Sequence, residues 1–260
     1  MRSILFAALL AANTGTVMAE QCDINFSGKL QLENRVLSIT TQNHDEIIIQ
    51  PNNLLIVNGQ QLALSAQQQR LVSAYYAGIY AAAPQAAHIA RDALQIASLT
   101  VNEVFTELLG EKNPAVDKLS EKLDHLGLQL HNNFYAQDGE IRLRSADFEN
   151  GNFVTPEWEQ EFEAAIEEVI SSSIGQILVS IGTELLFGQG DMTAFEAKME
   201  RFGQDIEQRV EYQTSGIEAR ANALCQGLVQ VDKLETQLQR TIPELANLNV
   251  LQVSAHRDAM

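Results

Sequence analysis

Two cysteines, Cys22 and Cys225, are the residues of this sequence best suited to covalent chemistry. An even number of cysteines in an exported protein is typical of a disulfide, and two free thiols are the alternative. No C-x-x-C pair is present, which disfavours a redox enzyme. Neither cysteine has a histidine or a second cysteine near it, which disfavours a metal site. We predict a Cys22–Cys225 disulfide that ties the N-terminal segment to a helix near the C-terminus.

The histidines and carboxylates do not form a known catalytic or metal-binding pattern. His125 and His131 are six residues apart, so they do not form the i, i+4 pair that binds a metal on a helix. The acidic run at 157–168 lacks the fixed loop of oxygen ligands that tight calcium binding requires. The sequence contains no H-E-x-x-H, G-x-S-x-G, P-loop or G-x-G-x-x-G motif. We predict no catalytic residue, no cofactor and no metal ligand.

The first nineteen residues have the pattern of a cleavable signal peptide. Arg2 gives a positive start, residues 4–12 are apolar, and a polar segment follows. Small residues before the junction predict cleavage between Ala19 and Glu20. The apolar run is about half of the roughly 20 residues that a membrane helix needs. We expect a protein exported to the periplasm, and a buried N-terminal helix is the alternative.

Composition supports export as a folded protein without a lipid anchor. Glu20 and Gln21 precede Cys22, so the small residue that lipid attachment requires before the cysteine is missing. Removal of residues 1–19 takes away Arg2 and leaves 16 basic and 34 acidic residues, a net charge of −18. Such a charge disfavours nucleic acid and anionic lipid as partners. The chain is 45% hydrophobic with periodic apolar residues, which disfavours disorder.

Residues 20–64 have the pattern of antiparallel strands. Short apolar or β-branched runs at 35–40, 46–50 and 54–57 alternate with polar turns. The dipeptide Asn58–Gly59 stands after the last of these runs, and it favours a two-residue hairpin because both positions tolerate positive φ. We predict a small antiparallel β-meander of three or four strands.

Residues 65–150 are predicted to be mainly helical. Ser65 and Gln68 have the spacing of a capping box, in which each side chain bonds to the backbone of the other residue. Pro84 is expected to end or kink the first helix because proline cannot donate to the preceding turn. A second helix should follow it.

A third helix and a hairpin complete this region. Pro114 suits the first turn of a helix, and leucines continue a stripe beyond it. Asp138 and Gly139 lie between apolar residues, which predicts a hairpin within 134–143.

Residues 151–242 are predicted to form a long antiparallel helical hairpin with coiled-coil character. Thr155 and Pro156 have the types of an N-cap and a first-turn residue, and an apolar stripe with steps of three and four follows. A break at 188–191 precedes a second stripe, in which Gly203 and Gly216 are expected kinks. After it, residues 243–260 form a tail that either frays or returns as a short strand at 249–253.

The stretch 170–187 requires separate attention because Glu184 is its only charged residue. Small residues at 171, 175 and 182 permit close helix contacts, as they do in membrane helices. The dense charge before Val169 favours a buried helix over a membrane span. Transient insertion into a membrane or an apolar partner is the alternative.

The strands and helices taken together predict an α+β fold class, mostly α, with residues 20–242 as one compact unit.

The order of these features resembles the YggN-like family of uncharacterised periplasmic proteins of Gram-negative bacteria. The resemblance covers most of the chain after residue 19, although its motifs are short, and residues 241–260 look like an extension. It implies a periplasmic location and the cysteine pair, and it implies no catalytic set. The matching segments are the early Cys22, 58–65, 67–70 with Tyr76, 108–111, Cys225 and 231–235.

Three functions are compatible with the sequence. The first is a non-catalytic envelope protein that binds another protein, or a second copy, through its helices in a chaperone-like or assembly role. The second is a carrier of a lipid or small apolar molecule, held between sheet and helices. The third is an enzyme with an unrecognised site, which the absence of catalytic motifs disfavours.

Overall fold

A computed structural model describes residues 21–109, 114–147, 159–169, 171 and 192–256. The fold is α+β and mostly α, as predicted, with an N-terminal antiparallel sheet followed by long helices. The predicted signal peptide and most of the stretch at 170–187 lie outside the described residues.

The N-terminal region forms a six-stranded antiparallel sheet with the order β6-β5-β4-β3-β2-β7. Five of its strands follow each other along the chain, so the meander has more strands than the three or four predicted. The sixth, β7, comes from beyond the first two helices and pairs with β2, which no local pattern indicated. The strands are β2 Lys29–Glu33, β3 Val36–Thr40, β4 Glu46–Ile49, β5 Leu55–Val57, β6 Gln60–Gln61 and β7 Leu143–Arg144.

Alternating side chains and tight turns set the register of this sheet. Alternate residues of the strands are buried, such as Leu30 and Leu32 in β2, so one face of the sheet covers the core. Asn58 and Gly59 have φ values of 49° and 78°, and β5 pairs with β6 across them. These positive values are those of a type I′ turn, so the predicted hairpin is confirmed.

The two ends of the described chain form a separate ribbon. Strand β1 (Gln21–Phe26) pairs antiparallel with β8 (Leu251–His256). The tail therefore forms a strand, at 251–256 rather than at the predicted 249–253. Gly28 separates β1 from β2 with a φ of 108°, and a Cβ there would lie 2.5 Å from the Thr40 carbonyl oxygen. Only glycine fits this position without strain.

The first helix, α1 (Ala66–Leu109), begins at the predicted capping box. The Ser65 N–H donates to Gln68 Oε1 over 2.8 Å, and the Gln68 N–H donates to Ser65 Oγ over 3.3 Å. The helix runs through Pro84 for 44 residues, so the prediction of a separate second helix is wrong. Pro84 lacks the N–H that would bond to the Tyr80 carbonyl, and the Gln85 side chain donates to the neighbouring Ala81 carbonyl over 3.0 Å.

Three further helices follow among the residues that the structure describes. Helix α2 (Pro114–Phe134) opens with its proline as predicted. The predicted hairpin after it is present, with an isolated bridge between Tyr135 and Ile141. Helix α3 comprises the helical residues 159–169, and α4 (Met192–Thr241) is one continuous helix.

The longest helices, α1 and α4, pack against each other as an antiparallel pair. Their direction follows from contacts near both ends: Tyr75 bonds to Glu235, and Glu103 pairs with Arg209. The described long partner of α4 is thus α1. The hairpin predicted within 151–242 concerns a first arm that lies mostly outside the described residues.

The main core lies where the sheet meets one end of the α1–α4 pair. Side chains of the sheet, such as Leu32 and Leu37, pack in one cluster with Tyr75 of α1 and Leu238 of α4. Residues after α4, in the segment predicted to be a tail, also belong to this core. Leu248 is one of them and is fully buried. Two smaller clusters join α1 to α2, and α2 to α3.

Candidate interaction surface

The Cys22–Cys225 disulfide joins the ribbon to helix α4. Its Cα atoms are 6.0 Å apart, and 203 residues separate the two cysteines along the chain. Cys225 is 2% exposed, and Cys22 lies in β1 beside the end of the chain. This bond is the predicted one, and its burial gives it a structural place rather than that of an accessible redox centre.

A buried carboxylate, Glu235, binds the backbone at the start of β8, the second strand of the ribbon. It is 1% exposed and accepts the Tyr75 hydroxyl over 2.7 Å. Its second oxygen accepts the N–H groups of Val250 and Leu251 over 2.6 and 3.2 Å. Asp232, one turn earlier on α4, accepts the Val253 N–H over 3.3 Å. Helix α4 therefore supplies acceptors to β8 that a second strand would otherwise provide.

Burial raises the pKa of Glu235 above its ordinary value, although bonds from Tyr75 and the two N–H groups oppose the shift. Burial also raises the pKa of Tyr75 well above its ordinary value, with the neighbouring Glu235 charge adding to the rise. Neither side chain has solvent access, and every named partner belongs to the protein. We assign this pair to the architecture, because catalysis would require access to substrate.

The histidines and acidic residues weighed in the sequence do not meet in a site. His44, His88, His125 and His131 are exposed at separate positions. Two carboxylates of the acidic run contact lysines of α2 instead: Glu168 bonds to Lys118 over 2.5 Å and Glu161 to Lys122 over 3.3 Å. Within the described residues, no three histidine, cysteine or acidic side chains are placed to hold a metal ion.

Burial falls away along the α1–α4 pair with distance from the sheet. On α1 the buried positions end at Ala90, and none of the described side chains at 91–107 is buried. On α4 none of the described side chains at 200–224 is buried. The apolar stripe of α4 nevertheless continues through Phe202, Ile206 and Val210, which are only partly buried. We call this part of the pair the distal stem, defined as residues 91–107 and 200–224.

The distal stem contains an open groove of about 470 Å³ between its two helices. Leu99 and Thr106 line it from α1, and Ile206 and Val210 line it from α4. Leu99 is 52% exposed, and Tyr212 of α4, beside the groove residue Gln213, is 83% exposed. They are two of the three large apolar side chains that the described surface exposes most, the third being Leu128 of α2.

Three charged side chains line the groove. They are the acidic Glu103 and Glu107 of α1 and the basic Arg209 of α4. The basic residue, Arg209, pairs with Glu103 across the groove. Nearer the sheet, Arg220 bonds to Asp92 over 2.5 Å, and this bond holds the pKa of Asp92 below its ordinary value. These two ion pairs connect α1 to α4 where few apolar contacts do.

The exposed Leu99 and Tyr212 were missed in the sequence, although a signal was present. The apolar stripe predicted for the second helix contains Ile96 and Thr100 but leaves out Leu99. Tyr212 likewise falls between Val210 and Ile217 and belongs to neither stripe position. A large apolar residue off the stripe of a long helix is a candidate surface residue.

The fold defines a class of protein: a small antiparallel sheet clamped by one end of a long antiparallel helix pair, with a disulfide at the junction. A family model described as "Protein of unknown function (DUF2884)" matches residues 22–251, and the chain belongs to this family. The curated proteins and the solved structures gave no significant match. No helix among the described residues is long and apolar enough to cross a membrane.

Proposed function

We propose that this protein is a non-catalytic envelope protein that binds another protein through the distal stem of α1 and α4. The observation that carries the proposal is the combination of an apolar stripe with the absence of buried side chains at 200–224. Helices that stay apolar beyond their own core are typical of surfaces that bury area against a partner.

The sheet end of the molecule supports this division of roles. Its core is closed by the sheet, by α1 and α4, and by the disulfide, so it provides a rigid base for the stem. The space between sheet and helices, where a carried ligand would lie, is lined by packed side chains such as Leu32, Tyr75 and Leu238. The groove in the stem is open instead, which suits a protein partner better than an enclosed small molecule.

The proposed location is the periplasm. Residues 1–19 have the pattern of a cleavable signal peptide. A disulfide with a buried cysteine is typical of proteins that fold in an oxidising compartment. Cleavage after Ala19 would leave Cys22 as the third residue of the exported chain.

Photocrosslinking in cells that express the protein naturally tests the proposal. The photoreactive residue p-benzoylphenylalanine is placed at position 99 or 212, in place of Leu99 or Tyr212. We expect light-dependent adducts of higher mass at both positions, formed with the chain that begins at Glu20 and recovered by osmotic shock. The adducts should contain a protein other than this chain.

Gln31 provides the matched control, because it is exposed on the sheet, far along the chain from the stem. The same photoreactive residue in place of Gln31 should give no adduct. Absence of adducts at positions 99 and 212, in protein that carries its disulfide, would refute binding through the stem.

A further inference from the structure

We propose that β1 is a docking edge through which two copies of this protein pair, strand to strand, into a continuous four-stranded ribbon. The interface does not involve the distal stem, so it goes beyond the proposed function. Three observations support it: an open strand edge on β1, a sequence along that edge that fits itself, and a low charge in the ribbon of β1 and β8.

The hydrogen bonds of the ribbon show which groups of β1 face away from β8. The Ser27 N–H donates to the Val250 carbonyl over 2.8 Å, so Ser27 faces β8. Because successive residues of a strand point their backbone groups to opposite sides, Asn25 also faces β8, whereas Ile24 and Phe26 face away from it. Among the described residues, no group accepts a bond from the outward N–H of Ile24 or Phe26.

The opposite edge of the ribbon is closed by α4. Leu251 and Val253 of β8 donate their outward N–H groups to the carboxylates of Glu235 and Asp232, over 3.2 and 3.3 Å. Strand β1 has no such cover, since β8 is the only described element that packs extensively along it.

The other edge strands are too short to offer a comparable surface. Strands β6 and β7, which end the six-stranded sheet, are two residues long. Short edges of this kind protect a sheet from pairing with another chain. Strand β1 is six residues long, so its open edge can accept a further strand through main-chain hydrogen bonds.

The sequence of β1 fits a second copy of itself. Antiparallel pairing centred on Ile24 places Cys22 opposite Phe26 of the second copy. Only residues that face away from β8 then meet, so each pair can exchange both of its N–H···O bonds. In this register Asp23 lies opposite Asn25 and not opposite a second Asp23, which avoids a pair of like charges. The contact is the same on both copies, as in most dimers.

Charge favours the ribbon as the place where two copies approach. The chain carries a net charge of −17, which opposes association through most of its surface. The six residues of β1 and the six of β8 include one acidic side chain, Asp23. Pairing also gives a four-stranded sheet, which is more stable than a ribbon of two strands.

Sedimentation velocity of the purified, disulfide-bonded protein tests the pairing. We expect the sedimentation coefficient to rise with concentration from that of a monomer to that of a dimer. Ile24→Pro removes the outward N–H and leaves the bonds to β8, because proline is tolerated on an edge strand. It should raise the dissociation constant of the dimer at least tenfold.

Ile24→Ala is the matched control, because it loses the same side chain but keeps the N–H. We expect it to change the dissociation constant less than threefold. Urea unfolding of both variants checks that the fold is kept.

A crosslink identifies the occupant and the register independently. In Asn25→Lys, a carbodiimide can join the new amine to Asp23 of a second copy. Protein labelled with nitrogen-15 is mixed with unlabelled protein, and we expect linked peptides that combine the two isotopes. Ser254→Lys is the control, since Ser254 lies opposite Asp23 within one chain and should give linked peptides of a single isotope.

Each other outcome would overturn the pairing. A monomer at every concentration without mixed-isotope peptides would leave β1 without a second copy. Equal weakening by Ile24→Pro and Ile24→Ala would show that the side chain makes the contact and the strand edge does not. A dimer that survives Ile24→Pro but is lost in Leu99→Gln would lie on the distal stem. Crosslinks from Asn25→Lys to a different protein, with none to a second copy, would make the occupant a foreign strand.

Discussion

Glu235 shows how one residue connects a gap in a sequence pattern to the folding of the chain terminus. The apolar stripe of α4 runs through Leu228, Val231 and Leu238, with a step of seven residues in place of three or four. Glu235 occupies the missing position. A carboxylate in such a stripe is stable only where donors surround it, and the Tyr75 hydroxyl with the N–H groups of Val250 and Leu251 provides them.

The raised pKa of Glu235 leads to a prediction about stability and pH. Since the folded pKa lies above the unfolded one, protonation favours folding, and this contribution is lost as pH rises through the folded pKa. Glu235→Gln keeps the shape and stays neutral. We expect the stability of the variant relative to the natural protein to increase as pH rises above about 4.5, the ordinary pKa of a glutamate carboxyl, and to level off above the folded pKa, as measured by urea unfolding.

A second substitution at the same position tests whether the hydrogen bonds that Glu235 accepts stabilise the fold. Glu235→Leu would leave the Tyr75 hydroxyl and two N–H groups without their acceptor, and we expect it to cost about 3 kcal/mol or more. Parallel stability curves for Glu235→Gln and the natural protein, measured from below about pH 4.5 upward, would contradict a raised pKa for this carboxyl.

At the scale of the elements, Gly78 lets α1 approach α4. A Cβ at this position would lie 2.5 Å from the Val231 side chain, closer than carbon atoms normally approach. Alanine favours a helix by about 1 kcal/mol over glycine, but overpacking of a core costs about 1–3 kcal/mol. We therefore expect Gly78→Ala to lower the free energy of unfolding, as measured by urea denaturation.

Gly227 is the matched control because it lies in α4 with nothing within 4 Å of its added Cβ. Gly227→Ala should raise the free energy of unfolding by about 0.5–1 kcal/mol. Val231→Ala should cost less in the Gly78→Ala background than alone, because it removes the clash. Stabilisation by Gly78→Ala equal to that of Gly227→Ala would show that the helices do not approach closely here.

The elements themselves were predictable where the determining signals are local. The Ser65 capping box and the Asn58–Gly59 turn formed as predicted, because each depends on residues three positions apart or fewer. The break predicted at Pro84 does not form. The helix buries the same face before and after Pro84, and this packing outweighs the hydrogen bond that proline cannot donate. Buried Ala83 and Ala87 on either side of Pro84 carry that packing.

At the scale of the whole molecule, the disulfide is the one covalent link between the ends of the fold. Its loop of about 200 residues would stabilise the folded state by about 5 kcal/mol on the chain-entropy model. We expect reduction, or Cys22→Ser with Cys225→Ser, to lower the free energy of unfolding by about 2–5 kcal/mol. Urea unfolding with and without reductant measures the loss.

The double serine variant also checks the interpretation. Reductant should have no effect on its unfolding, and its midpoint should equal that of the reduced natural protein. Equal stability of the oxidised and reduced natural protein would show that the bridge adds nothing to the fold.

The long-range arrangement of the molecule was harder to predict. The cysteine pair was predicted because an even count in an exported chain has few alternatives. The pairing of β1 with β8 and of β7 with β2 was not, because partners more than 100 residues apart leave no local pattern. The exposed groove also required the pairing of α1 with α4, which the sequence did not specify. These contacts are decided by the shape of the assembled core.

The disulfide closes residues 22–225 into a covalent ring, and the ribbon holds the segment at 251–256 against β1 by hydrogen bonds. A single cut of the backbone anywhere between Cys22 and Cys225 opens this ring but releases no fragment. The two fragments stay attached to each other through the disulfide at the junction of β1, β8 and α4. Glu235 and Asp232 of α4 also bind the backbone of β8 and of the residue before it there. A protease can thus cut once in a long segment far from the sheet without releasing any residue from the molecule.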